Sequence, residues 1–156
     1  MPLDEKKKTE IVRQLILAYT AELETVANYI ANSVNLDGVM AEPIKESLGS
    51  DVEEELGHAR TLADRLRVLG ATVPGSLALK FDQKSMQPPD ESTDLMQVVN
   101  GVIEAETQAI ERYEKIIELC SDSDPVTEDI AITLLADEQE HRREFEGFKK
   151  ALSKVT

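Results

Sequence analysis

The chain of 156 residues has no tryptophan, and only three phenylalanines and three tyrosines. Seven glycines and six prolines leave little turn material, which favours a few long elements. The single cysteine, Cys120, excludes an internal disulfide and a Cys-x-x-Cys metal clip, and reads as inert packing. No apolar run approaches the ~20 residues of a membrane span, so no membrane partner is expected. The opening MPLDEKKKTE lacks the basic-then-apolar form of a secretion signal, and the cytoplasm is the expected compartment. Cations are short as well. Lys and Arg number 17 against 31 Asp and Glu, giving −14. That charge repels phosphate backbones, so nucleic acid is not expected as a partner. The run Lys6, Lys7, Lys8 is too short to reverse it and reads as the solvated first turn of a helix.

What is present is 41% hydrophobic and periodic. Residues from about 4 to 35 repeat apolar positions at helical spacing through Ile11, Leu15, Ala18, Val26 and Ile30, with Asp4 as N-cap. A second helix is predicted over about 39–69, with Pro43 in its first turn and Gly70 after its end. Residues 71–91 contain Pro74-Gly75 and Pro88-Pro89 and show no period. That stretch is too long for a simple hairpin and long enough to cross a bundle. Helices over about 92–120 and 125–153 follow, the last with Asp124 as cap and Pro125 at its first position. The reading is all-α, one domain over 1–156: a four-helix bundle with one long crossover between the second and third helices.

Acidic residues interrupt the apolar rows. Steps of seven residues read Leu15, Glu22, Tyr29 on the first helix and Leu48, Glu55, Leu62 on the second. They read Val99, Glu106, Tyr113 on the third and Ala131, Glu138, Phe145 on the fourth. Such steps return to nearly one face, so a glutamate falls on the inner face of every helix near mid-length. The two histidines, His58 and His141, each stand three residues after one of these glutamates. The halves also match in order: Glu22, Tyr29, Glu55, His58 against Glu106, Tyr113, Glu138, His141. A duplicated helical hairpin with an approximate two-fold is implied.

A buried, unpaired carboxylate costs several kcal/mol, and four together also repel. Two divalent cations supply +4 against four carboxylates, and two neutral imidazoles complete the shell. The i, i+3 spacing of Glu-x-x-His puts both side chains on one helix face. Glu54 and Asp137, each four residues before a histidine, are candidates to accept an outer imidazole N–H. Tyr29 and Tyr113 are candidates to reach a carboxylate across the bundle.

With this pattern the chain resembles the ferritin-like di-iron carboxylate superfamily, nearest to bacterioferritins and rubrerythrin-type domains. The resemblance spans about residues 8–152. It implies that Glu55 and Glu138 bridge two metals, that Glu22 and Glu106 are terminal ligands, and that His58 and His141 bind one metal each. It implies two iron ions per chain, with manganese as an alternative, that react with O2 or H2O2, and no catalytic group apart from the ligands. Bacterioferritins take haem through a Met just after the first Glu-x-x-His glutamate; here that position is Leu56, so haem is not expected. With Cys120 the single cysteine, the rubrerythrin cysteine-ligated iron domain is not expected. Fifteen residues follow His141, and the fourth helix uses them, so a homo-oligomer such as a dimer is favoured over a 24-subunit cage. The leading expectation is a di-iron oxidase of ferroxidase type, serving iron handling or protection from oxidative stress. The alternatives are a rubrerythrin-like peroxide reductase, a non-catalytic iron or manganese carrier, and a structural bundle whose acidic surface meets a protein partner.

Overall fold

The computed structural model describes residues 3–155. Four long helices, α1 (Glu5–Asn35), α2 (Glu42–Val68), α3 (Leu95–Cys120) and α4 (Pro125–Ser153), form an antiparallel-hairpin bundle, with no strand among the described residues. Caps explain the boundaries. Asp4 accepts from Lys7 N at 2.8 Å, which starts α1 and leaves the lysine run in its exposed first turn. Residues 39–41 form a 3₁₀ turn rather than α-helix, because Gly38 enters it at φ 111° and Pro43 then fits the first turn of α2. The third helix begins at Leu95, later than the predicted 92, because the Asp94 carboxylate accepts from Gln97 N and fixes the cap. Asp124 caps α4 through Thr127 N at 3.1 Å, and Arg65 of α2 binds that same carboxylate at 2.9 Å.

The hairpins α1–α2 and α3–α4 are the tight pairs; α1 and α3 pack next, and α2 and α4, also side by side, pack less closely than these. The apolar core is split in two. One cluster gathers Leu48, Met86, Val99, Val102 and Phe145; the other gathers Ile11, Leu15, Leu62, Leu66 and Ile116. Between them, at mid-length, lie buried Glu22, Glu55, His58, Glu106, Glu138 and His141. Ile30, on a predicted apolar row, is half exposed, since Tyr29 beside it takes the inward position. Cys120 is buried at the end of α3.

The crossover is fastened rather than loose. Glu24 of α1, itself buried, accepts Asp82 N at 3.0 Å and Gln83 N at 2.7 Å. Gln83 bonds Asn28 and Thr25, and Asn32 donates to Met86 O at 2.9 Å. On the other side the crossover backbone at Ser85 lies directly on Gly101 of α3, where any Cβ would overlap the carbonyl. Among the described residues no helix is long and apolar enough to cross a membrane.

Candidate metal centre

The inner faces of the four helices bring the six sequence-predicted ligands together. Ligand atoms of Glu22, Glu55, His58 and Glu138 lie within 4.8 Å of one another, and so do those of Glu55, Glu106, Glu138 and His141. Glu55 and Glu138 belong to both groups. The two imidazole rings face each other at 6.4 Å between centroids.

Each outer ligand is held by one atom and free at another. Tyr113 donates to Glu22 Oε1 at 2.6 Å, and Tyr29 donates to Glu106 Oε1. Both tyrosines are fully buried, and burial lifts them well above the usual phenol range, so they donate. His58 Nε2 lies 2.9 Å from Asp137 Oδ2, and His141 Nε2 lies 2.9 Å from Glu54 Oε2. The same-helix pairing suggested by the four-residue spacing is not formed; each carboxylate serves the histidine of the other hairpin. The rings project across the gap between α2 and α4, so their outer nitrogens emerge beside the opposite helix. Glu54 and Asp137 are about two-fifths exposed, unlike the six inner residues.

The remaining atoms, Glu22 Oε2, Glu55 Oε1, Glu106 Oε2, Glu138 Oε1, His58 Nδ1 and His141 Nδ1, are buried and meet no hydrogen-bond partner. His58 Nδ1 stands 2.9 Å from Glu138 Oε1 and His141 Nδ1 stands 3.1 Å from Glu55 Oε1, ion-pair distances without hydrogen-bond alignment. Folded proteins rarely leave so many buried polar atoms unpaired in one place. Four carboxylate oxygens and two imidazole nitrogens form a donor set suited to Fe²⁺, Mn²⁺ or Zn²⁺.

The charges compete in this space. Burial and the neighbouring Glu106 carboxylate push Glu138 well above the usual carboxylate range. Burial acts on Glu55 in the same sense, but His141 and His58 outweigh it and hold Glu55 below that range. Burial disfavours charge on His58, yet the carboxylates of Glu138 and Glu55 beside it prevail and push it up to about 11. His141 moves in the same direction, through Glu106 and Glu55. The centre therefore offsets its own negative charge with protons, and a metal ion must displace them.

One polar residue close to the site escaped sequence reasoning. Asp51 is 6% exposed, lies 3.5 Å from His141 Nε2, and is pushed by burial to about 6. It stands one helical turn before Glu55, where the duplicated half carries Leu134. That mismatch was the available signal.

The Ferritin family, described as a ferritin-like domain, matches residues 13–155. The DNA protection during starvation protein of Pyrococcus furiosus is 30% identical over 140 residues, covering 88% of this chain and 75% of that protein. Among solved structures, a dodecameric thioferritin, the bacterioferritin-related protein of Bacteroides fragilis, superposes with a TM-score of 0.84 at 23% identity, covering 95% of this chain and 89% of that one. Ferritin-like di-iron carboxylate proteins from Bacillus anthracis superpose with a TM-score of 0.82 at 22% identity, covering 94% of this chain and 99% of that one.

Two expectations are overturned by these relatives. A dimer favoured over a closed shell conflicts with the dodecameric neighbour. The helix count within a subunit does not set the symmetry between subunits; outward patches do. The exclusion of nucleic acid conflicts with a relative named for DNA protection. A net charge is a sum over the surface, and it conceals the mostly basic groove at the end of α4, lined by Arg143, Lys149, Lys150 and Lys154 with Glu146 among them. The four-helix architecture with its long crossover, the split core and the match over residues 13–155 agree: the chain belongs to the ferritin-like domain family.

Proposed function

We propose that the protein binds two Fe²⁺ per chain in the bundle centre and oxidises them with O2 or H2O2. Glu22 and His58 hold one ion, Glu106 and His141 the other, and Glu55 and Glu138 lie between them. The observation that supports this most is the set of six buried atoms, one from each of these residues, that meet no hydrogen-bond partner. Two divalent ions bring +4 to four carboxylates, which removes the repulsion and releases the imidazole protons. Mn²⁺ satisfies the same oxygen and nitrogen donors.

Iron is the substrate in this reading. Each Fe²⁺ gives up one electron. Two electrons and two protons convert O2 to H2O2, or convert H2O2 to two waters. The chain's own groups position the ions. Tyr29 and Tyr113 lock one oxygen of Glu106 and Glu22 and leave the other for iron. Asp137 and Glu54 fix the outer imidazole nitrogens, so Nδ1 faces inward as the lone-pair donor. The two apolar clusters above and below exclude bulk water. Self-association into a multi-subunit shell, as in the Bacteroides fragilis protein, would collect the ferric product. Exposed Val34, Val39, Leu77 and Phe81 offer apolar area for such contacts. Consuming Fe²⁺ and peroxide together would spare DNA, in keeping with the name of the Pyrococcus furiosus relative.

Anaerobic Fe²⁺ titration of chelator-treated protein tests the proposal. The expected end point is about two ions per chain, lost in Glu55→Ala. Exposure to O2 then gives rapid oxo-bridged diferric absorbance. Two bound ions with no absorbance change over minutes would identify a carrier instead.

A further inference from the structure

The approximate two-fold also relates the outer faces of α1 and α3, with a shift of 84 residues (106 − 22 and 113 − 29). It pairs Glu24 with Gln108, Thr25 with Ala109 and Asn28 with Arg112. On α1 these positions hold the crossover: Glu24 accepts two of its N–H groups, and Thr25 and Asn28 bond Gln83. On α3 they do not. Among the described residues no hydrogen bond joins residues 79–90 to α3. A cavity of about 360 Å³ lies there instead, lined by Gln108 and Arg112 of α3 and by Lys84 and Ser85 of the crossover.

The donors around this cavity are unused. Among the described residues the side chains of Lys84, Gln108 and Arg112 make no hydrogen bond or ion pair. Ser85 Oγ is buried and meets no partner. Unpaired cations are unexpected in a chain with 31 Asp and Glu against 17 Lys and Arg. Helical spacing explains Arg112: its neighbours three and four residues away are Gln108, Ala109, Lys115 and Ile116, none of them acidic. The related site on α1 works through an acceptor, Glu24, and takes N–H groups. This one presents N–H and O–H donors and suits oxygen atoms. We propose that the cavity binds a small tetrahedral oxyanion, hydrogen phosphate, which ties the crossover to α3. A guanidinium fork, an ammonium, an amide and a hydroxyl match its oxygens. Three carboxylates, Glu24, Asp82 and Glu104, also line the cavity. Both oxygens of Glu24 are engaged by backbone N–H groups. Asp82 and Glu104 are exposed, where water and salt screen them. They accept the proton that hydrogen phosphate carries near neutral pH. Sulfate and the phosphodiesters of a nucleic acid carry no such proton, and meet only repulsion from the same two groups. The site shares no residue with the dinuclear centre and does not depend on it.

Titration of the chelator-treated full chain with inorganic phosphate, read by calorimetry and phosphorus NMR, tests this; sulfate and a short DNA duplex serve as comparison anions. The expected result is one saturable phosphate per chain, with sulfate about 10-fold weaker or more. Arg112→Gln and Lys84→Gln each weaken phosphate about 10–100-fold. Lys84 is exposed on the crossover, so its substitution leaves the fold intact. Phosphate raises the melting temperature of the unsubstituted protein and not that of Arg112→Gln. Glu104→Gln narrows the gap between phosphate and sulfate. Absence of saturable phosphate binding, or binding that survives both cation substitutions, overturns the site. Sulfate bound as tightly as phosphate, or duplex DNA bound through Arg112 without competition from free phosphate, overturns hydrogen phosphate as the ligand.

Discussion

The two sides of the centre are built on opposite plans. On the α1–α3 side, Glu22 and Glu106 are pinned by fully buried tyrosines, and the fastened crossover lies against both helices. On the α2–α4 side, which packs less closely than α1–α3, His58 and His141 are pinned by Asp137 and Glu54, which reach water. Phenol donors hold the side that is sealed; carboxyl acceptors hold the side that is open. The physical reason is desolvation. A phenol loses little by burial if its O–H is bonded, whereas a carboxylate keeps its charge cheaply only near water.

The comparison breaks most severely if one histidine is removed. His58→Ala is expected to abolish one metal equivalent and leave the other, read by anaerobic titration; loss of both would show that the two positions are not separable by side. The next effect is on pH. His58 has its folded pKa at about 11, above the ordinary 6.5, so its contribution to stability is complete below about pH 6.5 and is lost as pH rises toward 11. His141 moves in the same direction. Chelator-treated protein should lose up to about 1.4 kcal/mol per pH unit per histidine between pH 6.5 and 9.5, in denaturant midpoints. Metal-loaded protein, whose imidazoles carry no extra proton, should show a flatter curve, and metal affinity should rise over the same interval.

Smaller substitutions sharpen the contrast between the sides. Tyr113→Phe leaves Glu22 Oε1 unpaired in the sealed side and should cost about 1–3 kcal/mol of folding stability in the chelated protein. Asp137→Asn acts where water can replace the lost contact. It should change stability by less than about 1 kcal/mol, yet weaken metal binding about 10-fold or more, because the His58 ring loses its orienting acceptor. Equal stability losses in the two variants would erase the distinction.

The legible part of the molecule was the part written in short-range spacing. Steps of seven placed Glu22, Glu55, Glu106 and Glu138 on inner faces, and the Glu-x-x-His pairs put His58 and His141 beside them. The tyrosines were legible for the same reason. Partners that lie far apart in sequence were not. The crossing of Glu54 to His141 and Asp137 to His58 depends on how far the rings project across the gap, which spacing within one helix does not encode. Buried Glu24 and Asn32 look like surface residues until the crossover folds onto them, 58 and 54 residues away. Asp51 was hidden by attention to what the halves share rather than where they differ. Assembly was misread because residues such as Val39 and Leu77, exposed on one chain, carry no periodic signal.

The reciprocal contacts have a consequence for how the chain matures. Every anchor of a glutamate or histidine comes from the opposite hairpin: tyrosine from α1 to α3 and from α3 to α1, carboxylate from α2 to α4 and from α4 to α2. A nascent chain that has released only its N-terminal hairpin therefore owns half of two sites and the whole of neither. On the proposed dinuclear reading, tight metal capture would wait until the second hairpin docks, and a bound ion would report that closure is finished.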